Sequence, residues 1–260
     1  MIITTGDAPA AHIVERAKKL AAETGVNYVP RNKMSLAKLK QKYNDDEIIV
    51  VVEGGARLFS SSGQSLHFHP SMGFVRAKRL LKGESDPMLD AARVEPGDII
   101  LDCTAGLGTD AIVFALKVGS RGKVIALESS LTLYTMLKEG LEHYKTGLYE
   151  VDEAMRRIEV KRAHHLTILT QLPDNSVDVV YFDPMFRDPI AESSSIKPLR
   201  KYANHEALHI ESIREACRVA RKCVLLKEKR DSEEFERLGF KQMSRGSSKI
   251  AYGVIDVDIR

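Results

Sequence analysis

Two short stretches of this 260-residue chain combine acids with residues that shape the backbone. The first runs Asp102, Cys103, Thr104, Ala105, Gly106, Leu107, Gly108, Thr109, Asp110. Glycines adopt positive φ and let a ligand approach the backbone with no Cβ in the way, so a cofactor is expected against this loop. Read as Gly106-x-Gly108-x-x-Ala111, with Glu128 further on, the stretch satisfies a dinucleotide fingerprint in outline. The flanking acids argue otherwise. Asp102 would repel a pyrophosphate lying on the loop and suits an amine-bearing cation. Asp110, at the start of the next helix, adds negative charge where a pyrophosphate needs bare amides. Both features favour S-adenosylmethionine. The plainer alternative is that Asp102 and Glu128 are simply polar strand ends.

The second stretch is Asp183-Pro184-Met185-Phe186, delivered by the apolar run Val177 to Phe182. It resembles the Asp-Pro-Pro-aromatic motif of methyltransferases that act on exocyclic or amide nitrogens. An exocyclic amine is a poor nucleophile because its lone pair is delocalised into the ring. In that resemblance Asp183 and the Pro184 carbonyl each accept one N–H, which draws the nitrogen toward tetrahedral geometry. Proline stiffens the turn, and Phe186 offers a face for an extruded base, worth about 1–3 kcal/mol. Catalysis would then be chiefly alignment, with no metal. An Asp-Pro pair that merely ends a strand is the competing reading.

These loops need a scaffold that brings strand ends together. From Gly97 onward, short Val/Ile/Leu strands ("DIILD", "KVIALE", "IEVKRA", "VDVVYFD", "CVLLKE") alternate with helical stretches at Asp110–Lys117, Ser130–Tyr144, Leu166–Leu172 and His205–Arg221. Unbroken apolar strands belong to a parallel sheet covered on both faces. The alternation predicts a doubly wound α/β sheet that binds its ligand at the carboxyl edge. "KIAYGVIDVDI" adds a strand, expected to be antiparallel. Residues 1–70 read as a small α+β domain, with a helix over Pro9–Thr24 capped by Asp7, a second helix opened by Ser35, and strands around Gly54-Gly55. Residues 71–96 read as a helical bridge, and 97–260 as the catalytic domain.

Composition narrows the class. Hydrophobic residues at 43% and charged residues at 29% suit a globular protein. No apolar stretch spans a bilayer, and the N-terminus lacks the pattern of a signal peptide, so a cytoplasmic protein is expected. Cys103, Cys217 and Cys223 show no disulfide or zinc spacing and are expected to be buried as small apolar side chains. His205 and His209 with Cys217 and Cys223 match no common ligand set, so no metal is expected. The net charge is only +3, yet Lys197 to Arg230 holds ten Lys or Arg against four Glu. That strip, with Arg76, Lys78, Arg79 and Lys82, could hold phosphates; a solvated helix face is the alternative.

"LDCTAGLGTDAIVFAL", "ALE", "RAHH" and "VVYFDPMF" together resemble the RsmJ-like family of small-subunit (16S) ribosomal RNA guanine-N2 methyltransferases. The resemblance covers about residues 97–187. It implies a Rossmann-like class I methyltransferase fold that uses S-adenosylmethionine. Cofactor contacts carry over to Thr109, Asp110, Glu128, Ser129, His164, His165 and Asp183, beside Asp102, Ala105, Gly106 and Gly108. Glu128 would take the ribose hydroxyls, and the two histidines would flank the adenine. Asp183, Pro184 and Phe186 carry the transfer, with structured RNA as partner. Methylation of another amine, on DNA, protein or a small molecule, is the nearest alternative. An NAD-binding oxidoreductase also fits the glycines but lacks a Ser-Tyr-x-x-x-Lys set, and a non-catalytic RNA-binding factor keeping the fold is a further possibility.

Overall fold

The computed structural model describes residues 1–60, 65–184, 202, 206–243 and 248–257. Two sheets organise it. The larger has seven strands: β6 (Ile99–Asp102), β7 (Lys123–Glu128), β8 (Ile158–Arg162), β9 (Val177–Phe182), β10 (Ala220–Lys229), β11 (Lys241–Met243) and β12 (Ile250–Asp256). Their order is β11-β12-β10-β9-β6-β7-β8. The five from β8 to β10 run parallel, and β12 lies antiparallel between β10 and β11. Strand order reverses beside β6, between β7 and β9, which is where ligands of such sheets bind.

Successive side chains of β6 and β9 enter opposite cores. Ile100, Val179 and Tyr181 pack toward one face, while Leu101, Val180 and Phe182 pack toward the other. On the first face lie α3 (Ser71–Leu81), α4 (Pro87–Ala91), α5 (Thr109–Val118) and α7 (Tyr149–Arg156). On the second lie α8 (His165–Leu169), α9 (Ile210–Val219) and α10 (Glu234–Arg237). Burial on both faces explains why these strands read as unbroken apolar runs.

The smaller sheet holds β1 (Ile2–Thr5), β2 (Asn27–Tyr28), β3 (Ile48–Val52), β4 (Gly55–Phe59) and β5 (Ser65–His67), in the order β2-β1-β3-β4-β5. It is packed by α1 (Ala11–Thr24) and flanked by α2 (Leu36–Tyr43), whose N-cap is Ser35. The helix α6 (Leu131–His143) joins the two sheets, because its Leu133 and Met136 sit in the core of the smaller one. Arg16 of α1 and Glu139 of α6 pair at 2.8 Å inside that junction.

Several elements differ from expectation. Strand β1, helix α10 and strand β11 are too short to carry a pattern, and α7, with Val151, Ala154 and Met155 buried at helical spacing, lies outside the predicted helices. Ala10, not Asp7, stands at the N-cap of α1, and it makes no side-chain cap. Asp7 pairs with Arg31 instead. The last long helix ends at Val219, so Arg221 and Lys222 belong to β10, which begins at Ala220. Cys103 and Cys223 are buried and Cys217 half-buried, all as free thiols.

Candidate active site

Register brings the strand ends together. Asp102 lies beside Tyr181 across β6–β9, and Leu226 beside Phe182 across β9–β10. The next residues along the latter pair, Asp183 and Lys227, therefore emerge side by side at the carboxyl edge.

After β6 the chain turns through Gly106 and Gly108, both at positive φ (55° and 77°). Gly108 is the N-cap of α5, and a Cβ there would lie 2.7 Å from Leu137 Cδ1. Its role is to let α6 approach. Gly106 has open space where a Cβ would stand, and its N–H donates to Glu128 Oε2 at 3.0 Å. Glu128, at the end of β7, also accepts from Ser130 N–H at 2.8 Å, and burial raises its carboxyl above the ordinary range. One carboxylate thus fixes the glycine loop and the start of α6.

Gly106, Glu128, Ser129, His164, His165, Asp183 and Pro184 share the wall of one cavity at this edge. His164 caps α8 by accepting from Leu166 N–H, and its ring lies 4.2 Å from that of His165. His165 Nε2 is 3.0 Å from Ser212 Oγ, and its ring meets Phe182 edge-on. Burial, with His164 and His209 nearby, lowers His165 to about 4, so it is neutral at neutral pH. The opposite wall, from Glu206 to His209, leads into α9. That wall was not foreseen, because no motif marks it and it is far in sequence from both loops.

Asp102, Ala105, Gly108, Thr109 and Asp110 stand behind the cavity wall. Asp102 is 1% exposed, accepts from Thr104 N–H at 3.1 Å, and is pushed well up by burial. A buried acid with so little satisfaction favours a nearby cation. Asp110 makes a different set of bonds. Its carboxylate takes Arg76, Lys227 Nζ at 2.8 Å and Tyr181 Oη–H at 2.8 Å. The two cations, chiefly Lys227, hold it below the usual carboxylate range against the opposing effect of burial. Its charge is therefore answered within the fold rather than presented at the loop mouth.

Asp183 is held at two points. Its N–H donates to Thr104 Oγ1 at 2.6 Å, and its Oδ2 accepts from Lys227 Nζ at 2.7 Å. Burial and the charge of Asp110 outweigh Lys227, and its carboxyl rises to about 6. Phe186 lies outside the described residues.

The expected basic strip is largely paired. Arg218 meets Asp174 and Glu215, Arg221 meets Asp178, and Lys222 meets Asp98 and Glu95. Arg76 is held by Asp86 and Asp110, and Arg79 by Glu84. Among the described residues Lys78, Lys82 and Arg214 remain exposed without a carboxylate partner. Lys197, Arg200 and Lys201 lie outside the described residues. Also among the described residues, no cluster of His, Cys, Asp or Glu could hold a metal ion, and no helix is long and apolar enough to cross a membrane.

Residues 66–238 match the family model described as "Putative SAM-dependent methyltransferase". The chain belongs to that family. The methyltransferase is 43% identical over 254 residues to the uncharacterized protein YpiP of Bacillus subtilis, covering 98% of both chains. It is 28% identical over 185 residues to the ribosomal RNA small subunit methyltransferase J of Mannheimia succiniciproducens, covering 68% of this chain and 70% of that one. The corresponding protein of Cellvibrio japonicus is 25% identical over 214 residues, covering 78% and 75%. In fold it matches the SAM-dependent methyltransferase NGO1261 of Neisseria gonorrhoeae, with a TM-score of 0.67 at 17% identity, over 100% of this chain and 97% of that one. The methyltransferase therefore uses S-adenosylmethionine. Its residues fit that cofactor: Gly106 leaves open space on the cavity wall, Glu128 offers a carboxylate beside it, and Asp102 stands buried behind the wall.

Proposed function

We propose that the methyltransferase modifies the exocyclic N2 amine of guanine in small-subunit ribosomal RNA, a cytoplasmic substrate. The observation that carries this reading is Asp183, followed by Pro184, in the same cavity wall as Gly106 and Glu128. Relatives that align over most of the chain and are named as small-subunit ribosomal RNA methyltransferases support the choice of RNA.

When bound, S-adenosylmethionine supplies an electrophilic methyl group, whose bond to sulfur breaks as the bond to nitrogen forms and whose electron pair stays on sulfur. Asp183 and the Pro184 carbonyl accept the two N–H bonds of the amine and turn its lone pair toward the cavity. Nitrogen gains positive charge as it is methylated and must shed one proton. The Asp183 carboxylate, held near 6, takes that proton and passes it to water. Glu128, Ser129, His164 and His165 would hold the cofactor's nucleoside, and Asp102 with the Ala105 to Thr109 loop would back its charged end. Exposed Lys78, Lys82 and Arg214 supply phosphate contacts without drawing on the paired cations.

The test is transfer of a labelled methyl group to small ribosomal subunits prepared from cells lacking the gene, followed by digestion to nucleosides. Label in N2-methylguanosine is expected. Label in another nucleoside would overturn the choice of base, and label confined to ribosomal protein would overturn the choice of RNA. Asp183→Ala should abolish transfer while changing affinity for S-adenosylhomocysteine far less than Glu128→Ala does.

A further inference from the structure

Lys227 lies in the strip that composition marks as phosphate-binding, yet it is not at the surface. Its side chain is 16% exposed, and its ammonium sits between two carboxylates, 2.8 Å from Asp110 and 2.7 Å from Asp183. It is absent from the cavity wall, whereas Asp183 is part of it. Asp110 has two further partners, Arg76 and Tyr181, but among the described residues Lys227 is the one cation on Asp183.

We propose that Lys227 is a positioning residue for methyl transfer: it pins Oδ2 of Asp183 from behind, so that Oδ1 faces the cavity as a charged acceptor. This rests on the reading of Asp183 as the acceptor of the substrate's N–H.

The physical need is plain. Asp183 is half-buried, and the carboxylate of Asp110 faces it across Lys227, so two like charges share one ammonium. Glu228, next along β10, Asp102 at the end of β6, and the Tyr181 hydroxyl also feel the negative charge of Asp183. Arg76 of α3 and Tyr252 of β12 stand behind the pair, against Asp110 and Lys227 respectively. Glu206, His164, His165 and His209 line the cavity in front. Burial and the neighbouring acids all favour protonation of Asp183, and Lys227 opposes them. A protonated Asp183 would present a donor where the amine also presents donors, and alignment would be lost. With Lys227 in place, the carboxylate accepts at Oδ1, and the proton released after transfer moves from nitrogen to that oxygen and on to water.

The experiment compares Lys227→Met, Lys227→Arg and Asp183→Asn. The titration of the Asp183 carboxyl carbon is followed by nuclear magnetic resonance in the ligand-free protein, its signal assigned by its loss in Asp183→Asn. In Lys227→Met the midpoint should rise by at least one pH unit, a tenfold change in proton affinity. Lys227→Arg should restore most of it. The acid limb of the kcat profile on small ribosomal subunits should move up by a similar amount, so that activity lost at pH 7 returns at higher pH. S-adenosylhomocysteine affinity should stay within about threefold, since Lys227 does not line the cavity. If Lys227→Met does not fold, Lys227→Gln removes the charge with less apolar mismatch, and folding of Lys227→Arg shows that the site tolerates change. An unmoved carboxyl titration in a folded neutral variant overturns the role of Lys227. A fully active Asp183→Ala, which keeps no side-chain oxygen to accept the amine's N–H, overturns the acceptor role of Asp183 instead, so the two failures are distinguishable.

Discussion

The N–H of Asp183 donates to the hydroxyl of Thr104 across 2.6 Å, and this bond ties the loop after β9 to the glycine loop after β6. The proposed acceptor of the substrate's amine is thereby located relative to the cofactor loop by a side chain that also lines the cavity. Thr104→Val removes the acceptor and leaves a half-buried N–H unpaired, at a cost of about 1–3 kcal/mol. We expect kcat to fall by roughly tenfold or more, with S-adenosylhomocysteine affinity nearly unchanged and Thr104→Ser close to the parent. Single-turnover rates measure the first, calorimetry the second.

Glu128 carries a second coupling. Its two oxygens accept from the backbone on both sides of the cavity, Gly106 N–H and Ser130 N–H. Glu128→Ala removes charge-assisted hydrogen bonds worth roughly 1.5–3 kcal/mol each, besides any bond to the cofactor. Calorimetry should show affinity for S-adenosylhomocysteine falling by at least about tenfold. An unchanged affinity would remove Glu128 from the cofactor site.

How far this site was legible depended on whether a residue's role is local. Asp183-Pro184 follows an apolar strand, and Gly106 and Gly108 stand in a strand-to-helix turn, so pattern alone located them at the carboxyl edge. The direction of the Asp110 side chain could not be read, because its partners Arg76, Tyr181 and Lys227 come from α3, β9 and β10. The same holds for the basic strip. A count of Lys and Arg treats Arg221 and Lys222 as free surface charges, but the helix stops at Val219 and the strand places them on Asp178 and Asp98. Periodicity found the long elements and missed β1, α10 and β11, whose few residues span too little of a period. The sharing of α6 between both sheets is tertiary and leaves no mark in local pattern.

Arg76 and Arg214 separate structure from the proposed RNA contact. Arg76 is half-buried and bonded to both oxygens of Asp86 as well as to Asp110. Arg76→Met leaves Asp86 without its cation and should lower unfolding free energy by roughly 3–5 kcal/mol. Arg214 is exposed on α9 with no carboxylate partner among the described residues. Arg214→Ala should leave the melting temperature unchanged while weakening RNA binding and shallowing its salt dependence, by a slope of about 0.7–0.9 for one phosphate contact. Equal effects of both variants on stability would contradict the assignment.

His165 predicts a pH effect. Its folded value, about 4, lies below the ordinary 6.5 because burial disfavours the imidazolium. The unfolded chain therefore binds a proton between pH 6.5 and about 4 that the folded state refuses. Stability is fully present above pH 6.5 and is lost as pH falls through that window, by up to about 3 kcal/mol from this group. Denaturant unfolding of the parent and of His165→Gln should converge as pH falls, because the glutamine carries no such penalty. Parallel curves would place His165 in contact with solvent.

Gly73 marks where the helical bridge packs against the proposed cofactor loop. A Cβ on Gly73 would come within 2.4 Å of the Thr109 carbonyl oxygen, so α3 lies directly on the first turn of α5. That turn follows Gly108 and carries Asp110, whose partner Arg76 lies one turn along α3. Backbone cannot yield as a flexible side chain does. Gly73→Ala must therefore push α3 from α5, at a cost of about 1–3 kcal/mol in stability. It should also weaken cofactor binding, although residue 73 lines no part of the cavity. Thermal melts and calorimetry with S-adenosylhomocysteine measure the two losses. A fall in stability with unchanged affinity would show that the loop keeps its shape without the support of α3.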